Sequence, residues 1–147
     1  MVAIKGGSAL EKRLAELATK VTKPANLSVG FLQNSTYPDG TSVPMVAAIQ
    51  EFGAAARKIP PRPFFRNMIA AKSPGWGDAI ADLLKANDYD ATRTMQQTGA
   101  GIKGQLQQSI VDTNAPALSP ATVARKGSEK PLVDTGHMLN SVDFKVE

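Results

Sequence analysis

The chain has 147 residues, a formal net charge of +4 and a hydrophobic content of 42%, a composition typical of one globular domain. It contains no cysteine and no apolar run near the roughly 20 residues of a membrane span, which excludes disulfide scaffolds, thiol catalysis, Cys-ligated zinc and a membrane helix. Lysine and arginine are scattered among the acidic residues, a pattern that favours a solvated surface of mixed charge over specific nucleic-acid recognition.

The first third of the chain predicts a helix, a strand and a second helix. The capping box Ser8–Glu11 predicts a helix from about Ala9, with one apolar face made by Leu10, Leu14, Leu17 and Val21. Alternation in residues 27–31 predicts a strand, and a turn is expected at residues 38–40. Pro44 favours the start of a helix over Met45–Phe52, which Gly53 ends.

A proline-rich segment follows, over residues 49–65. Three prolines in four positions fix φ and remove three backbone donors, so this segment is predicted to be a stiff extended arm that ends in two phenylalanines. Rigid segments with aromatic and arginine anchors suit binding to another protein. The candidate subunit-interface residues are Glu51, Phe52, Ile59, Arg62, Pro63, Phe64 and Phe65. We expect Arg62 to form a bidentate pair with a carboxylate, either Glu51 or one on a neighbouring subunit.

The second half predicts mainly helices. Short helices are expected near residues 65–69 and 76–84, and a long one over residues 90–111 with Met95, Ile102, Leu106 and Ile110 on one face. Gly99, Gly101 and Gly104 either weaken this helix or allow a neighbouring backbone to approach. Ser119–Pro120 predicts another helix start, and alternation over 142–146 predicts a closing strand. Residues 1–147 are therefore expected to form one α+β domain, a small mixed or antiparallel sheet with helices packed on it.

Candidate catalytic groups are few. His137, the only histidine, has Asp134 and Ser141 near it in sequence, but triads are made by geometry across a fold and no nucleophile elbow is present. Asp88 and Asp90 lack further metal ligands at loop spacing, and a helix-capping role explains them better. The prediction is a protein without catalytic residues, metal or cofactor.

Two segments in this order resemble the neck and tail-completion proteins of long-tailed bacteriophages, the minor tail protein Z or virion-morphogenesis group. The first is Glu51-Phe52-Gly53 followed by Ile59-Pro60-Pro61-Arg62-Pro63-Phe64-Phe65; the second runs from Leu118-Ser119-Pro120 to Leu132-Val133-Asp134-Thr135-Gly136 and Leu139-Asn140-Ser141. The resemblance covers roughly residues 43–73 and 118–146, and no motif lies between them.

The resemblance implies a structural role: a subunit of the ring that joins tail to head, most often six-fold, with no cofactor. It implies other neck and tail rings as partners, a lumen through which DNA passes without sequence-specific binding, no membrane, and a place in the virion after synthesis in the bacterial host cytoplasm. A tail-terminator ring is the nearest alternative. A basic DNA-associated protein and a small hydrolase around His137 are alternatives of other classes, distinguished by steeply salt-dependent DNA binding and by hydrolysis lost in His137→Ala.

Overall fold

The computed structural model describes residues 6–22, 25–134 and 136–147. Its regular elements, in chain order, are α1 (Gly7–Val21), β1 (Leu27–Phe31), α2 (Val43–Phe52), α3 (Phe64–Lys72), α4 (Trp76–Ala86), α5 (Ala91–Asp112), α6 (Pro120–Lys126), α7 (His137–Asn140) and β2 (Val142–Val146). Short 3₁₀ turns lie at Ala55–Arg57 and Ser73–Gly75. The chain is thus mostly helical with a small sheet, which confirms the predicted α+β class.

The sheet consists of β1 and β2, which run antiparallel with Phe31 opposite Val142 and Leu27 opposite Val146. The long helix α5 packs across both strands. Gly99 makes this close approach possible, because a Cβ there would lie 2.8 Å from Leu27 Cδ1 and nearer still to the Phe144 ring. The α5 glycines were expected either to weaken the helix or to let a neighbouring backbone approach. Gly99 does allow a close approach, but by the side chains of Leu27 and Phe144 and not by a backbone, whereas a Cβ on Gly101 or Gly104 would meet nothing within 4 Å.

The hydrophobic core lies between α5, the sheet, α2, α3 and the C-terminal segment. Its buried members are Val43, Ala47, Phe64, Met68, Leu106, Ile110, Leu132, Met138 and Val142. The apolar face predicted for the long helix is confirmed at Leu106 and Ile110. Two buried residues of that helix, Thr94 and Thr98, were not predicted, and the Thr98 hydroxyl donates to the Thr94 carbonyl at 2.9 Å.

Side-chain caps fix several helix starts where the sequence places them. Asp90 accepts from Arg93 N at 3.0 Å and Ser119 accepts from Thr122 N at 3.3 Å, so both act as N-caps. The predicted capping box at Ser8 is wrong, because α1 begins at Gly7 after Gly6 and has no side-chain cap. Two residues of difference at a helix end is ordinary when no cap fixes the boundary.

Helix α1 differs from the prediction in a second respect. Its apolar residues Leu10, Leu14 and Val21 are exposed, and none of its residues is buried. The helix is instead held through its charged side, where Arg13 and Lys20 both bind the carboxylate of Asp88, with 2.6 Å between Lys20 Nζ and Asp88 Oδ2. The apolar residues that share one face of α1 therefore form a stripe that is exposed to solvent, with Leu10, Leu14 and Val21 in it.

The proline arm is only partly extended. A 3₁₀ turn at Ala55–Arg57 is closed by a bridge between Ala54 and Ile59. Phe64 and Phe65 were expected to end the extended arm. They instead form the first turn of α3, after Pro63. The two side chains therefore point in different directions because they are consecutive residues of a helix and not of a strand. Phe64 enters the core.

We predict that Gly99→Ala destabilises the protein by about 1–3 kcal/mol, because the added methyl group overpacks the contact with Phe144 and Leu27. Gly101→Ala is the matched control on the same helix. It should be neutral or stabilise by up to about 1 kcal/mol, since alanine favours helices over glycine. Urea unfolding of both variants measures the difference, and equal stabilities would show that the close approach at Gly99 is not required.

We also predict that Asp88→Asn frees α1 without unfolding the domain. Its hydrogen bonds to Lys20 and then Arg13 lower the pKa of Asp88, so the attraction is present at neutral pH and is lost as the pH falls through the lowered value. Asparagine tolerates the left-handed conformation of residue 88, where φ is 52°. Amide exchange should accelerate in α1 but not in α5, and Asp82→Asn should change neither.

Candidate assembly surface

The carboxylate of Glu51 connects α2 to α3. Its Oε2 accepts from Phe65 N at 2.9 Å, and its Oε1 accepts from Arg66 N at 3.2 Å and from Arg66 Nε at 2.7 Å. The residue is only 5% exposed. Because Phe65 N and Arg66 N are backbone groups of the first turn of α3, a negative charge there is favoured by both hydrogen bonding and the helix dipole.

Phe52 lies next to this carboxylate and is 65% exposed. The guanidinium carbon of Arg66 is 5.0 Å from the centre of the Phe52 ring, a cation–π distance. Beside them is a cavity of about 260 Å³, lined mainly by Phe31, Pro44, Ala47, Ala48, Phe64 and Phe65. Phe52 and this cavity form an apolar surface, here called the Phe52 surface, with one arginine at its edge.

Arg62 does not pair with Glu51, so that part of the prediction is wrong, and a carboxylate on a neighbouring subunit stays a prediction. Glu51 is occupied by the start of α3 and by Arg66, while a hydrogen bond of 2.7 Å from Arg62 N to Gln50 O holds the arm elsewhere. The Arg62 side chain, 4% exposed, donates from Nε to Pro116 O at 2.9 Å and from Nη1 to Gln50 Oε1 at 3.3 Å. Burial lowers the pKa of Arg62, although an arginine stays charged in proteins.

The remaining candidate interface residues differ in accessibility. Phe64 is 1% exposed and stacks edge-on against Phe31, with 6.2 Å between ring centres. Ile59, Pro63 and Phe65 are half-buried. Within the single chain, Phe52 is therefore the candidate most available to a partner.

A second cavity, of about 390 Å³, lies between the arm and the C-terminal segment. Arg62 and Lys126 bring positive charge to it, Tyr37 a hydroxyl, and Leu132 and Met138 apolar walls. Burial lowers the pKa of Lys126, and the nearby charge of Arg62 lowers it further while Asp134 opposes the shift. Burial, followed by Asp134 and Asp39, raises the pKa of Tyr37, so its hydroxyl keeps its proton at neutral pH.

The His137 side chain contacts the loop between β1 and α2. Its Nε2 is 2.7 Å from Thr36 O, and its ring centre is 4.9 Å from that of Tyr37. The Ser141 hydroxyl donates to the His137 carbonyl rather than to the imidazole. The small hydrolase around His137 stays an untested alternative, and the hydrogen bonds described here do not join the Ser141 hydroxyl to the imidazole.

Asp88 and Asp90 both have partners within the chain. Asp88 binds Arg13 and Lys20 of α1, and Asp90 is the N-cap of α5. No group of three or more His, Asp or Glu side chains among residues 6–22, 25–134 and 136–147 is placed to hold a metal ion. Within the same ranges, no helix combines the length and apolar character needed to cross a bilayer.

Comparison of the chain with protein families, with curated proteins and with solved structures found no match. Interpretation of the two surfaces therefore depends on their own chemistry and on the motifs in the sequence.

Sequence reasoning did not find Arg66 or Lys126. Arg66 follows the arm by one residue and carries no pattern of its own; its spacing from Glu51 is meaningful only once α2 and α3 are seen to meet. Lys126 stands in the second motif segment, but its proximity to Arg62 depends on how the chain returns after α5.

We predict that Glu51→Gln destabilises the protein by about 1–3 kcal/mol, the range for weakening charge-assisted bonds of a buried group. The amide is isosteric with the carboxylate, so the loss reports the charge and the acceptor oxygen removed at the start of α3 and not a change of volume. Glu11→Gln, on the exposed surface of α1, is the control and should change stability by less than about 0.5 kcal/mol. Thermal unfolding followed by circular dichroism distinguishes them.

Proposed function

We propose that this protein is a structural subunit of the head–tail connector, or neck, or of the tail-completion ring of a long-tailed bacteriophage. One observation carries the proposal. The two segments that resemble this family are far apart in the sequence, yet they line one cavity, where Gln50 and Arg62 of the first lie beside Thr122, Lys126 and Leu132 of the second. Both motif segments line the same cavity, and neither contains a predicted catalytic residue. We therefore assign them a common structural role.

The exposed apolar surfaces support a ring. Closed rings use head-to-tail contacts, which need two different surfaces on each subunit. The described chain presents two: the apolar stripe of α1, with Leu10, Leu14 and Val21 exposed, and the Phe52 surface. Exposed apolar patches of this kind mark interaction sites.

The proposed assembly is a ring of six subunits, between other neck and tail rings, in the virion. DNA passes through its lumen without sequence-specific contact. Lysine and arginine are scattered in the sequence and not grouped, which agrees with a lumen that does not bind DNA tightly. The subunit is made in the cytoplasm of the bacterial host before it enters the particle.

Electron microscopy of particles from a phage lacking this gene tests the proposal. A connector or completion subunit predicts filled heads and finished tails that remain separate, with joining restored by the wild-type gene. A tail terminator would instead leave tails of irregular length. Normal virions from the deletion phage would refute both roles.

We predict that Phe52→Ala leaves the free protein folded but lowers the yield of joined particles by at least about tenfold, because a central aromatic anchor contributes about 2 kcal/mol or more to an interface. Tyr89→Ala removes another exposed aromatic residue, in the turn before α5, and is the control. Complementation titre and unfolding temperature are measured for both. Equal titres for the two variants would show that Phe52 is not part of the interface.

A further inference from the structure

We propose that the cavity between the arm and the C-terminal segment binds a carboxylate group carried by a peptide segment of another chain, with Arg62 and Lys126 as the cationic ligands. This site is additional to the Phe52 surface and to the ring itself. The unused donors of Arg62 and Lys126 and the apolar walls of the cavity indicate this ligand.

The Arg62 guanidinium has donors left over. Two of its N–H groups go to neutral acceptors, Pro116 O and Gln50 Oε1, and no carboxylate of the described residues lies within ion-pair distance of it. No fully buried side-chain nitrogen or oxygen in the described chain lacks a partner, so the remaining guanidinium nitrogen keeps some exposure, and Arg62 is one of the residues that line the cavity. A buried planar fork with free donors suits a carboxylate, which accepts two parallel hydrogen bonds.

Lys126 supplies a second positive charge at a fixed place. Its Nζ donates to Lys130 O at 2.8 Å and to Pro131 O at 3.2 Å, which hold the ammonium beside the cavity without neutralising it. An ammonium has three donors, so one remains for a ligand. The nearby charge of Asp134 raises the pKa of Lys126 and that of Arg62 lowers it, so the ammonium has both a carboxylate and a second cation near it.

The acidic residues at the cavity limit the charge of the ligand. Asp39, whose Oδ1 accepts from Thr41 N at 2.9 Å, and Asp134 both line it. The two cations and two carboxylates of the lining cancel in formal charge, so a ligand gains only where it contacts Arg62 and Lys126 directly. A phosphate dianion would meet more repulsion from Asp39 and Asp134 than a single carboxylate would. Tyr37, with its raised pKa, stays neutral and can donate to the same ligand.

The walls favour a peptide over a free small acid. Val46, Leu118, Leu132 and Met138 form the apolar part of the lining. The methylene groups of a glutamate side chain and an adjacent apolar residue can bury there, which acetate cannot do. The carboxylate is therefore expected on a protein segment.

The test observes Arg62 directly in the full chain. The protein labelled with ¹⁵N is titrated with acetyl-Leu-Glu-Leu-amide, with its Gln analogue, with sodium acetate and with inorganic phosphate, while the arginine Nε–H signals are followed by NMR. The Arg62 signal is assigned by its loss in Arg62→Lys. We expect the Glu peptide to shift that signal and to bind at least about tenfold more tightly than the Gln peptide, since a charge-assisted bidentate pair is lost in the analogue.

Arg62→Gln and Lys126→Gln should each reduce this preference for the Glu peptide, whereas Arg57→Gln, which removes an exposed arginine from the same arm, should retain it. The wild-type titration remains decisive even if Arg62→Gln does not fold. Equal binding of the Glu and Gln peptides, or no shift at Arg62, overturns the proposal. Tighter binding of phosphate overturns the choice of a carboxylate, and binding of acetate as tight as the Glu peptide overturns the choice of a peptide. All of these results leave the proposed ring role intact, because it is tested in particles.

Discussion

The Glu51 carboxylate at the start of α3 is the contact on which the course of the arm depends. Pro63, which precedes α3, offers no side-chain acceptor, so the first N–H groups of that helix need one from elsewhere in the chain. Glu51 supplies it from the last turn of α2. Once α3 begins at this place, Phe64 enters the core and its carbonyl accepts from the Ser109 hydroxyl of α5 at 2.7 Å. The buried carboxylate thus joins α2 to α3, and the Phe64 carbonyl joins α3 to α5.

The same arrangement determines where the cationic cavity forms. The arm between α2 and α3 is short and stiff, and its Arg62 N–H is bonded back to Gln50 O. The Arg62 side chain consequently reaches Pro116, in the segment that follows α5. The two motif segments meet there because α5 carries the chain across the sheet and returns it to the arm, with Gly99 permitting the helix to lie close to the strands.

Local patterns predicted the elements well. Alternation identified both strands, and Asp90, Ser119 and Gly53 fix helix ends by hydrogen bonds or φ values that involve only near neighbours. The Glu51–Arg66 pair and the burial of Arg62 could not be found in this way, because a cation selects its partner by tertiary position. The apolar face of α1 shows a related limit: a sequence pattern shows that residues share a face, but not that another element covers that face.

The pairing of β1 with β2 also affects how the molecule is made. Residue 31 of β1 pairs with residue 142, which is added 111 positions later. At about 5–20 residues per second of synthesis, β1 therefore waits on the order of ten seconds for the strand that completes it. Contacts so distant in sequence form slowly, and an unpaired strand edge is prone to associate with other chains. The helices α3, α4 and α5, which are neighbours in sequence, can assemble during that interval, so the sheet is the natural last step of folding.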